Sequence, residues 1–357
     1  MSRLLLTVAV LAAAVAGLSA PPQPPADGLT RGVRFLLAQQ SPDGAWRSDV
    51  YAQFKDDTAL TPLVLTALQD AAPFADTTAA RKKASAWVAK FARPDGTIDE
   101  GPDGLPYPVY TAALSVIALS HPENRDHLTA RDAWLKYLLA RQLTEANGWS
   151  PADVHYGGWG YYPGVPKKPA AGQAVPAQHL LESNLSATAF ALDALDAAGA
   201  LTEDVRKSAA VCLRRLMTGG VHLVVGDPLR NKAGFVIDAD GRVTYREYGS
   251  VLVDAERAAA RLGLPWNRPA EVFTFDRHPG DYPPEREANR DAVYYYFARS
   301  AAKTLGRRAA KLPDALLAKQ RADGSWSNPV VLVRENDPVL ATAYAVSALA
   351  ECRRVRE

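Results

Sequence analysis

The chain has few cysteines and almost no net charge. Cys212 and Cys352 are its only two cysteines among 357 residues, too few for a disulfide framework or a four-cysteine zinc cluster. The six histidines include no pair at the spacing of metal ligands, and no glycine-rich phosphate loop is present. Basic residues number 41 and acidic residues 39, so no strong field attracts nucleic acid. We therefore expect no metal, no cofactor and no nucleic-acid partner.

Long apolar runs are also scarce, and only one segment, at the amino terminus, stands out. Arg3 precedes the apolar run 4–18, and small residues close it at Ala20, which is the layout of a secretory signal peptide. The run is shorter than the roughly 20 residues of a membrane-spanning helix, although an uncleaved amino-terminal anchor is the alternative. We predict a signal peptide at 1–20, a Pro-rich linker at 21–27 and an exported protein, periplasmic or extracellular.

A short motif with the spacing Q-x-x-D-G-x-W occurs near both ends of the remaining chain. The members of its two complete copies are Gln40, Asp43, Gly44, Trp46, Gln320, Asp323, Gly324 and Trp326. Degenerate copies lie at 93–98, with Ile98 in place of the tryptophan, and at 142–149, with one residue inserted. A period of about fifty residues indicates a repeat architecture. In each copy we expect a helix to end near the glutamine, Asp-Gly to turn the chain, and the tryptophan to pack back as a plug.

Two kinds of helical segment alternate between these turns. Amphipathic segments, such as the one carrying Ala84, Trp87, Val88 and Phe91, bury one stripe, whereas their partners are rich in Ala, Leu and Val with almost no charge. The pattern predicts an outer, half-buried layer and an inner, fully buried layer. The six expected inner helices lie near 57–70, 107–120, 184–198, 248–262, 291–305 and 338–351. Residues 234–237 and 243–245 flank an Asp-Ala-Asp-Gly turn and predict a small β-hairpin.

The motif and the buried phrases "DDTALTPLVLTAL", "LSATAFALDALDAAG" and "DPVLATAYAVSALAE" resemble the prenyltransferase and squalene oxidase repeat. That repeat builds squalene–hopene cyclases, other class II terpene cyclases and the beta subunits of protein prenyltransferases. The resemblance covers about residues 28–357 and implies a single all-α domain, an α/α toroid of about six inner and six outer helices with the small β-hairpin inserted. The tracts "DAVYYYFARSAAKTLG" and "GGWGYYPG" look most like exported bacterial members of unestablished activity.

The resemblance also suggests candidate catalytic acids. In the cyclases a D-x-D-D motif carries the acid that protonates a double bond, and here Asp56 and Asp57 match its last two acids while Phe54 stands where the first would be. A neighbouring carboxylate in a dry pocket can keep such an acid protonated. The alternative is that both aspartates only cap the following helix. The zinc site of the prenyltransferases is not matched, because Ala stands two residues before each cysteine.

Aromatic residues are the candidates for ligand contact. The predicted substrate-binding residues are Tyr110, Trp159, Tyr161, Tyr294, Tyr295 and Tyr344. Consecutive helical residues point about 100° apart, so one or two of the run 294–297 should face the axis of the toroid. Rings there would hold an isoprenoid chain and stabilise a carbocation; the alternative is that they fill the core. The long loop 144–181, which holds Trp159 and Tyr161, suggests a lid or a linker between repeats.

Two hypotheses about function follow. The first is a protein that binds an isoprenoid or another apolar ligand in the toroid, with terpene-cyclase-type isomerase activity left open. The second is a non-catalytic module for a peptide, lipid or glycan. A toroidal glycosidase would need a separated carboxylate pair. Contact with a membrane surface is compatible with an apolar ligand, and the sequence identifies no protein partner.

Overall fold

Two layers of helices make up the protein. The computed structural model describes residues 27–48, 50, 58–266 and 277–356. Within these ranges the inner helices are α2 (Leu60–Ala71), α4 (Pro108–Leu119), α6 (Leu185–Ala197), α8 (Gly249–Leu262), α9 (Tyr294–Leu305) and α11 (Pro338–Arg356). The outer helices are α1 (Gly28–Ala38), α3 (Thr78–Ala89), α5 (Leu128–Leu139), α7 (Glu203–Leu216) and α10 (Leu312–Ala318).

The inner helices form a closed ring. Each one packs on the next in the order α2, α4, α6, α8, α9, α11, and α11 packs back on α2. Hydrogen bonds join equivalent turns: Tyr110 and Tyr296 both contact Ser186 in the first turn, and Lys303 contacts Asp70 near the last. The inner helices therefore run parallel and all begin at one end, which we call the N-terminal face. The predicted α/α toroid is confirmed.

The burial of each layer follows its composition. In α2 eleven of twelve residues are buried, as expected for a helix that is apolar on every side. In α3 the buried residues form a stripe that includes Ala84, Trp87 and Val88. Some of the helices are capped by a side chain at their first turn. At the start of α6 the Asn184 side chain accepts a hydrogen bond from the backbone N–H of Ala187, as N-cap residues do.

Tryptophan plugs join the layers at the complete repeat motifs. The Trp46 indole is fully buried and donates to the Leu36 carbonyl at 2.7 Å, while its backbone N–H meets the Thr61 hydroxyl at 3.0 Å. Trp326 repeats this geometry with Leu316 at 2.7 Å and Thr342 at 2.9 Å.

The other motif residues shape the turn. The amides of Gln40 and Gln320 donate to the carbonyls of Gly44 and Gly324, both at 2.9 Å. Asp43 and Asp323 accept backbone N–H groups two residues ahead. The two glycines have φ of 99° and 88°, and a Cβ on either one would meet a backbone carbonyl oxygen of the adjacent outer helix, at 2.6 and 2.7 Å respectively. Only glycine fits such a position without strain.

A third plug corrects one motif assignment. The Gln142 amide donates to the Gly157 carbonyl at 2.9 Å, and the buried Trp159 indole donates to Leu138 at 2.9 Å. This copy therefore runs from Gln142 to Trp159 with a long insertion, rather than to Trp149 as predicted. Trp149 instead packs in a separate small cluster with Leu143, Tyr156 and Leu181.

The connection between α8 and α9 departs from the helical pattern. The predicted hairpin precedes α8, with strand β1 (Phe235–Ile237) antiparallel to strand β2 (Val243–Tyr245). After α8, the described residues form a 3-10 segment, Pro284–Asn289, and no outer α-helix.

Among the helices that the structure describes, none has the length and apolarity needed to cross a membrane.

Candidate functional site

Five aromatic rings converge on the axis of the ring near the N-terminal face. They come from five different elements and are Tyr110 of α4, Tyr161 of the loop before α6, Phe190 of α6, Tyr296 of α9 and Tyr344 of α11. Ring centroids lie 5.1 Å apart for Tyr110 and Phe190, 6.0 Å for Phe190 and Tyr296, and 5.8 Å for Tyr296 and Tyr344. We call these five residues the axial aromatic cluster.

The tyrosine hydroxyls form a directed chain of hydrogen bonds. Tyr296 donates to Asp254 at 2.6 Å and Tyr110 donates to Ser186 at 2.8 Å. The remaining contacts, from Tyr161 to Tyr110 at 3.2 Å and from Ser186 to Tyr296 at 2.8 Å, must therefore be donated by Tyr161 and Ser186. Burial raises the pKa of Tyr110 and Tyr296 well above the usual value, so both stay neutral donors.

We infer that the cluster borders a recess at the axis. Four of its residues, Tyr110, Tyr161, Tyr296 and Tyr344, keep partial exposure although they lie inside the ring of helices. Farther down the axis the side chains become closed to solvent: Phe190 is 1% exposed, Asp254 2%, Arg257 5% and Arg299 2%. The recess therefore has tyrosine walls and a closed floor.

Charged groups make up much of the floor. Arg257 lies between two carboxylates, with contacts of 3.0 Å to both Asp254 and Asp193. Burial raises the pKa of Asp254, and Arg257 opposes this. Burial works against the charge of Arg257, but the two carboxylates outweigh it and raise its pKa. The guanidinium carbons of Arg257 and Arg299 each lie 5.3 Å from the Phe190 ring.

A second set of charges ties the ring together near the ends of the inner helices. Lys303 contacts Asp70 at 2.9 Å, and the Ser347 hydroxyl donates to the same carboxylate. Burial by itself raises the pKa of Asp70, but Lys303, Ser347 and Arg299 together bring it below the usual value. This set joins α2, α9 and α11, where the ring closes.

The structure brings some of the predicted residues together and separates others. Tyr110, Tyr161 and Tyr344 belong to the axial aromatic cluster. Trp159 instead lies between α5 and α6 as a repeat plug. Asp56 and Asp57 lie outside the described residues. Substrate binding by these residues stays a prediction.

The tyrosine run on α9 faces the axis through Tyr296, which is not among the predicted substrate-binding residues. Lys319, which follows α10, lies 4.8 Å from the Tyr294 ring, on the outer side. The Tyr295 hydroxyl donates to the Ser327 carbonyl at 3.3 Å. Tyr296, about 100° further around the helix, is the residue in the recess. Within the run, Tyr296 lies at the axis, whereas Tyr294 and Tyr295 contact residues away from it; substrate binding by Tyr294 and Tyr295 stays a prediction.

Sequence reasoning also missed the buried ions of the floor. Asp254 and Arg257 lie three residues apart within a segment predicted to be an inner helix. A charge on a helix surrounded by other helices must be paired, so this spacing was a usable signal. Clusters of three or more histidine, cysteine, aspartate or glutamate side chains that could hold a metal ion do not occur in the described ranges.

Comparison with other proteins supports the fold. No protein-family model and no curated protein matches the chain. The type II terpene cyclase MstE from Scytonema, in complex with its substrate geranylgeranyl dihydroxybenzoate, is similar with a TM-score of 0.56 and 14% identity over 92% of this chain and 97% of its own.

Two other solved structures have a comparable similarity. A protein from Actinoplanes has a TM-score of 0.52, 14% identity and coverage of 92% and 99%. The GH76A α-1,6-mannanase from Salegentibacter has a TM-score of 0.50, 11% identity and coverage of 92% and 100%. At these identities the likeness establishes architecture only. The chain thus has an α/α-toroid fold, similar to the folds of a type II terpene cyclase and of an α-1,6-mannanase.

Proposed function

We propose that the protein binds an isoprenoid or similar apolar small molecule in the recess at the N-terminal face. The observation that supports this proposal is that five aromatic rings from five elements converge on the axial recess. Aromatic walls bind an apolar chain by burying area. Each hydroxyl proton of the chain already has an acceptor, so the chain offers the Tyr161 oxygen as a hydrogen-bond acceptor to a polar end of the ligand.

The ligand of MstE, whose fold is similar, is of the same kind as the ligand proposed here. Its structure contains geranylgeranyl dihydroxybenzoate, an isoprenoid chain with a polar aromatic end. By analogy, the ligand proposed here places its chain along the rings of Phe190, Tyr296 and Tyr344. Its polar end meets Tyr110 and Tyr161.

The floor of the recess favours binding over glycoside hydrolysis. Hydrolysis uses one carboxyl as an acid and a second as a base or nucleophile. The axial carboxylates Asp70, Asp193 and Asp254 are each ion-paired with Lys303 or Arg257. They therefore act as structural charges in this proposal. Terpene-cyclase chemistry would depend on Asp56 and Asp57.

The amino terminus resembles a signal peptide. We therefore propose that the protein works outside the cytoplasm.

Two neighbouring tyrosines allow a matched test of the site. Tyr161 and Tyr162 are both half-buried on the same loop, but Tyr161 belongs to the axial aromatic cluster and Tyr162 packs on the separate cluster around Trp149. We expect Tyr161→Ala to weaken binding of geranylgeraniol by about tenfold, because the ligand no longer buries the area of this ring, a loss of about 1.4 kcal/mol of binding free energy. Tyr162→Ala should change the affinity by less than about twofold.

The measurement is titration of purified protein with geranylgeraniol, followed by tryptophan fluorescence, with thermal melts to verify folding. Mass spectrometry of organic extracts of the protein from its native host would identify the bound compound. Equal losses in the two variants, or no binding by the parent protein to any polyprene, would contradict the proposed site.

A further inference from the structure

The hydroxyl chain beside the recess has one fixed end, the Asp254 carboxylate. Its Oδ2 atom accepts the proton of Tyr296 at 2.6 Å, and its Oδ1 atom accepts a hydrogen bond from Arg257 at 3.0 Å. An ionised carboxylate accepts hydrogen bonds but donates none, and the ion pair with Arg257 stabilises that form. The Tyr296 proton is therefore committed to Asp254, and the Tyr296 oxygen acts as an acceptor for the rest of the chain.

This end sets the direction of every other hydrogen bond in the chain. Ser186 donates to Tyr296 and Tyr110 donates to Ser186, both at 2.8 Å. Tyr161 completes the series by donating to Tyr110 at 3.2 Å. Each hydroxyl has a single proton, so all four protons point toward Asp254. At the opposite end, the Tyr161 oxygen keeps lone pairs but no proton for a further partner.

Tyr161 is the end of the chain that a ligand in the recess meets. The residue keeps partial exposure, and its ring lies 5.9 Å from that of Tyr110 at the border of the recess. Asp254, at the other end, is only 2% exposed and belongs to the closed floor. The polar end of the ligand therefore faces an oxygen that accepts hydrogen bonds and does not donate them.

An alcohol fits this oxygen, whereas an aldehyde or an ether does not. The O–H group of an alcohol donates to the Tyr161 oxygen and extends the chain by one hydrogen bond. Aldehydes and ethers carry only acceptors, so no proton would lie between their oxygen and that of Tyr161. A buried polar atom left without a partner loses the free energy of its hydrogen bonds with water.

We propose that the ligand of the recess is an isoprenoid alcohol, and that Asp254 selects it over aldehydes and ethers by fixing the direction of the hydroxyl chain. This inference rests on the proposed function, because it assigns the polar end of a ligand in the same recess. Asp254 does not touch the ligand. It is a positioning residue that acts through the chain on the acceptor at Tyr161.

Three ligands with the same geranylgeranyl chain test the polar end. Geranylgeraniol donates a hydrogen bond, whereas geranylgeranial and geranylgeranyl methyl ether only accept. The purified protein is titrated with each one and followed by tryptophan fluorescence. We expect the alcohol to bind at least about tenfold more tightly than either of the other two. The aldehyde is smaller than the alcohol and the ether is larger, so size alone does not produce this order.

Substitutions at the two ends of the chain identify what sets the preference. Tyr161→Phe keeps the ring and removes the oxygen, and should bring the three affinities within about threefold of one another, mainly by weakening the alcohol. Asp254→Asn keeps the shape of the side chain, but its amide donates as well as accepts, so the chain can reverse and Tyr161 can donate into the recess. In that variant the aldehyde and the ether should gain about tenfold, while the alcohol stays within about threefold of the parent.

Tyr344→Phe is the matched control, because Tyr344 belongs to the axial aromatic cluster but takes part in none of the hydrogen bonds of the chain. Its preference for the alcohol should equal that of the parent. A parent that binds all three ligands equally well, or a preference that persists in Tyr161→Phe or Asp254→Asn protein shown by thermal melts to be folded, would overturn this inference and leave the proposed function standing. Binding of none of the three would contradict the proposed function itself, and with it the assignment of the polar end.

Discussion

At the scale of single residues, the candidate acids Asp56 and Asp57 give a direct test of catalysis. If either one protonates a polyprene, Asp56→Asn abolishes turnover while costing little stability. If both are caps, the parent protein is inactive and Asn is tolerated, because Asn also caps a helix. With Phe54 in place of the first acid, we expect the parent to leave squalene unchanged. The measurement is product analysis after incubation of both proteins with squalene; a cyclised product lost in the variant would show that the protein is an enzyme.

The tyrosines on α9 show how far single residues could be predicted. Four consecutive aromatic residues, 294–297, leave no polar face from which to fix the rotation of the helix. The rotation of α9 depends on where the helix begins. Glu335, which follows Tyr295 by forty residues in the chain, fixes that start by accepting the first backbone N–H groups of the helix. A contact so distant in sequence has no local signal. Tyr110 and Tyr344 were easier to predict, because each is the single aromatic residue of its helix, whereas Tyr161 was predicted from the aromatic, glycine-rich composition of its loop.

At the scale of elements, the inner helices were predictable because they are apolar on every side, and their observed bounds agree closely with the predicted ranges. The long loop before α6 was harder. Its tryptophans Trp149 and Trp159 both follow glycine, so spacing favoured the nearer one to Gln142. The hydrogen bond from Gln142 to Gly157 selects the farther one. An insertion between two motif residues hides the repeat from any fixed-spacing pattern.

The capping of α9 by Glu335 leads to a prediction about pH. Burial raises the pKa of Glu335 from 4.5 to about 7, so the folded protein binds its proton more tightly than the unfolded chain does. The stability cost of this group is absent below pH 4.5 and grows as the pH rises toward about 7, with a slope of at most about 1.4 kcal/mol per pH unit. Glu335→Gln should lower stability overall but remove that slope.

Urea unfolding of the parent and of Glu335→Gln across this pH range measures the difference. Lys232 titrates in the opposite sense, because its pKa falls from 10.5 to about 7 and stability from that group rises with pH within that higher window. The two contributions therefore separate by pH. Parallel stability curves for the two proteins between pH 4.5 and 7 would show that Glu335 is not the titrating group.

At the scale of the whole molecule, the ring closes through charges as well as through apolar packing. The helix α11 packs on both α9 and α2, and Asp70, Lys303 and Ser347 join these three helices at one point. Near the other end, the hydroxyl chain links α4, α6, α9 and α8. The axis of a toroid is the one place where side chains from all inner helices meet, so polar groups placed there must satisfy each other.

The ion pairs of Arg257 with Asp193 and Asp254, in the floor of the recess, test whether buried charges stabilise the ring of helices. Arg257→Met leaves Asp193 and Asp254 without their shared partner, and removal of one member of a buried ionic group costs about 3–5 kcal/mol. Replacing all three by Asp193→Leu, Asp254→Leu and Arg257→Met should restore part of the lost stability, because apolar groups of similar volume often substitute for buried ion pairs, while Arg261 and the Tyr296 hydroxyl lose the carboxylates that they contact. Urea denaturation of the single and triple variants compares them. Because the proposed ligand rests on the tyrosine walls, the triple variant should bind geranylgeraniol within about threefold of the parent. A triple variant that folds as stably as the parent but no longer binds would mean that the ionic floor, and not the aromatic wall, recognises the ligand.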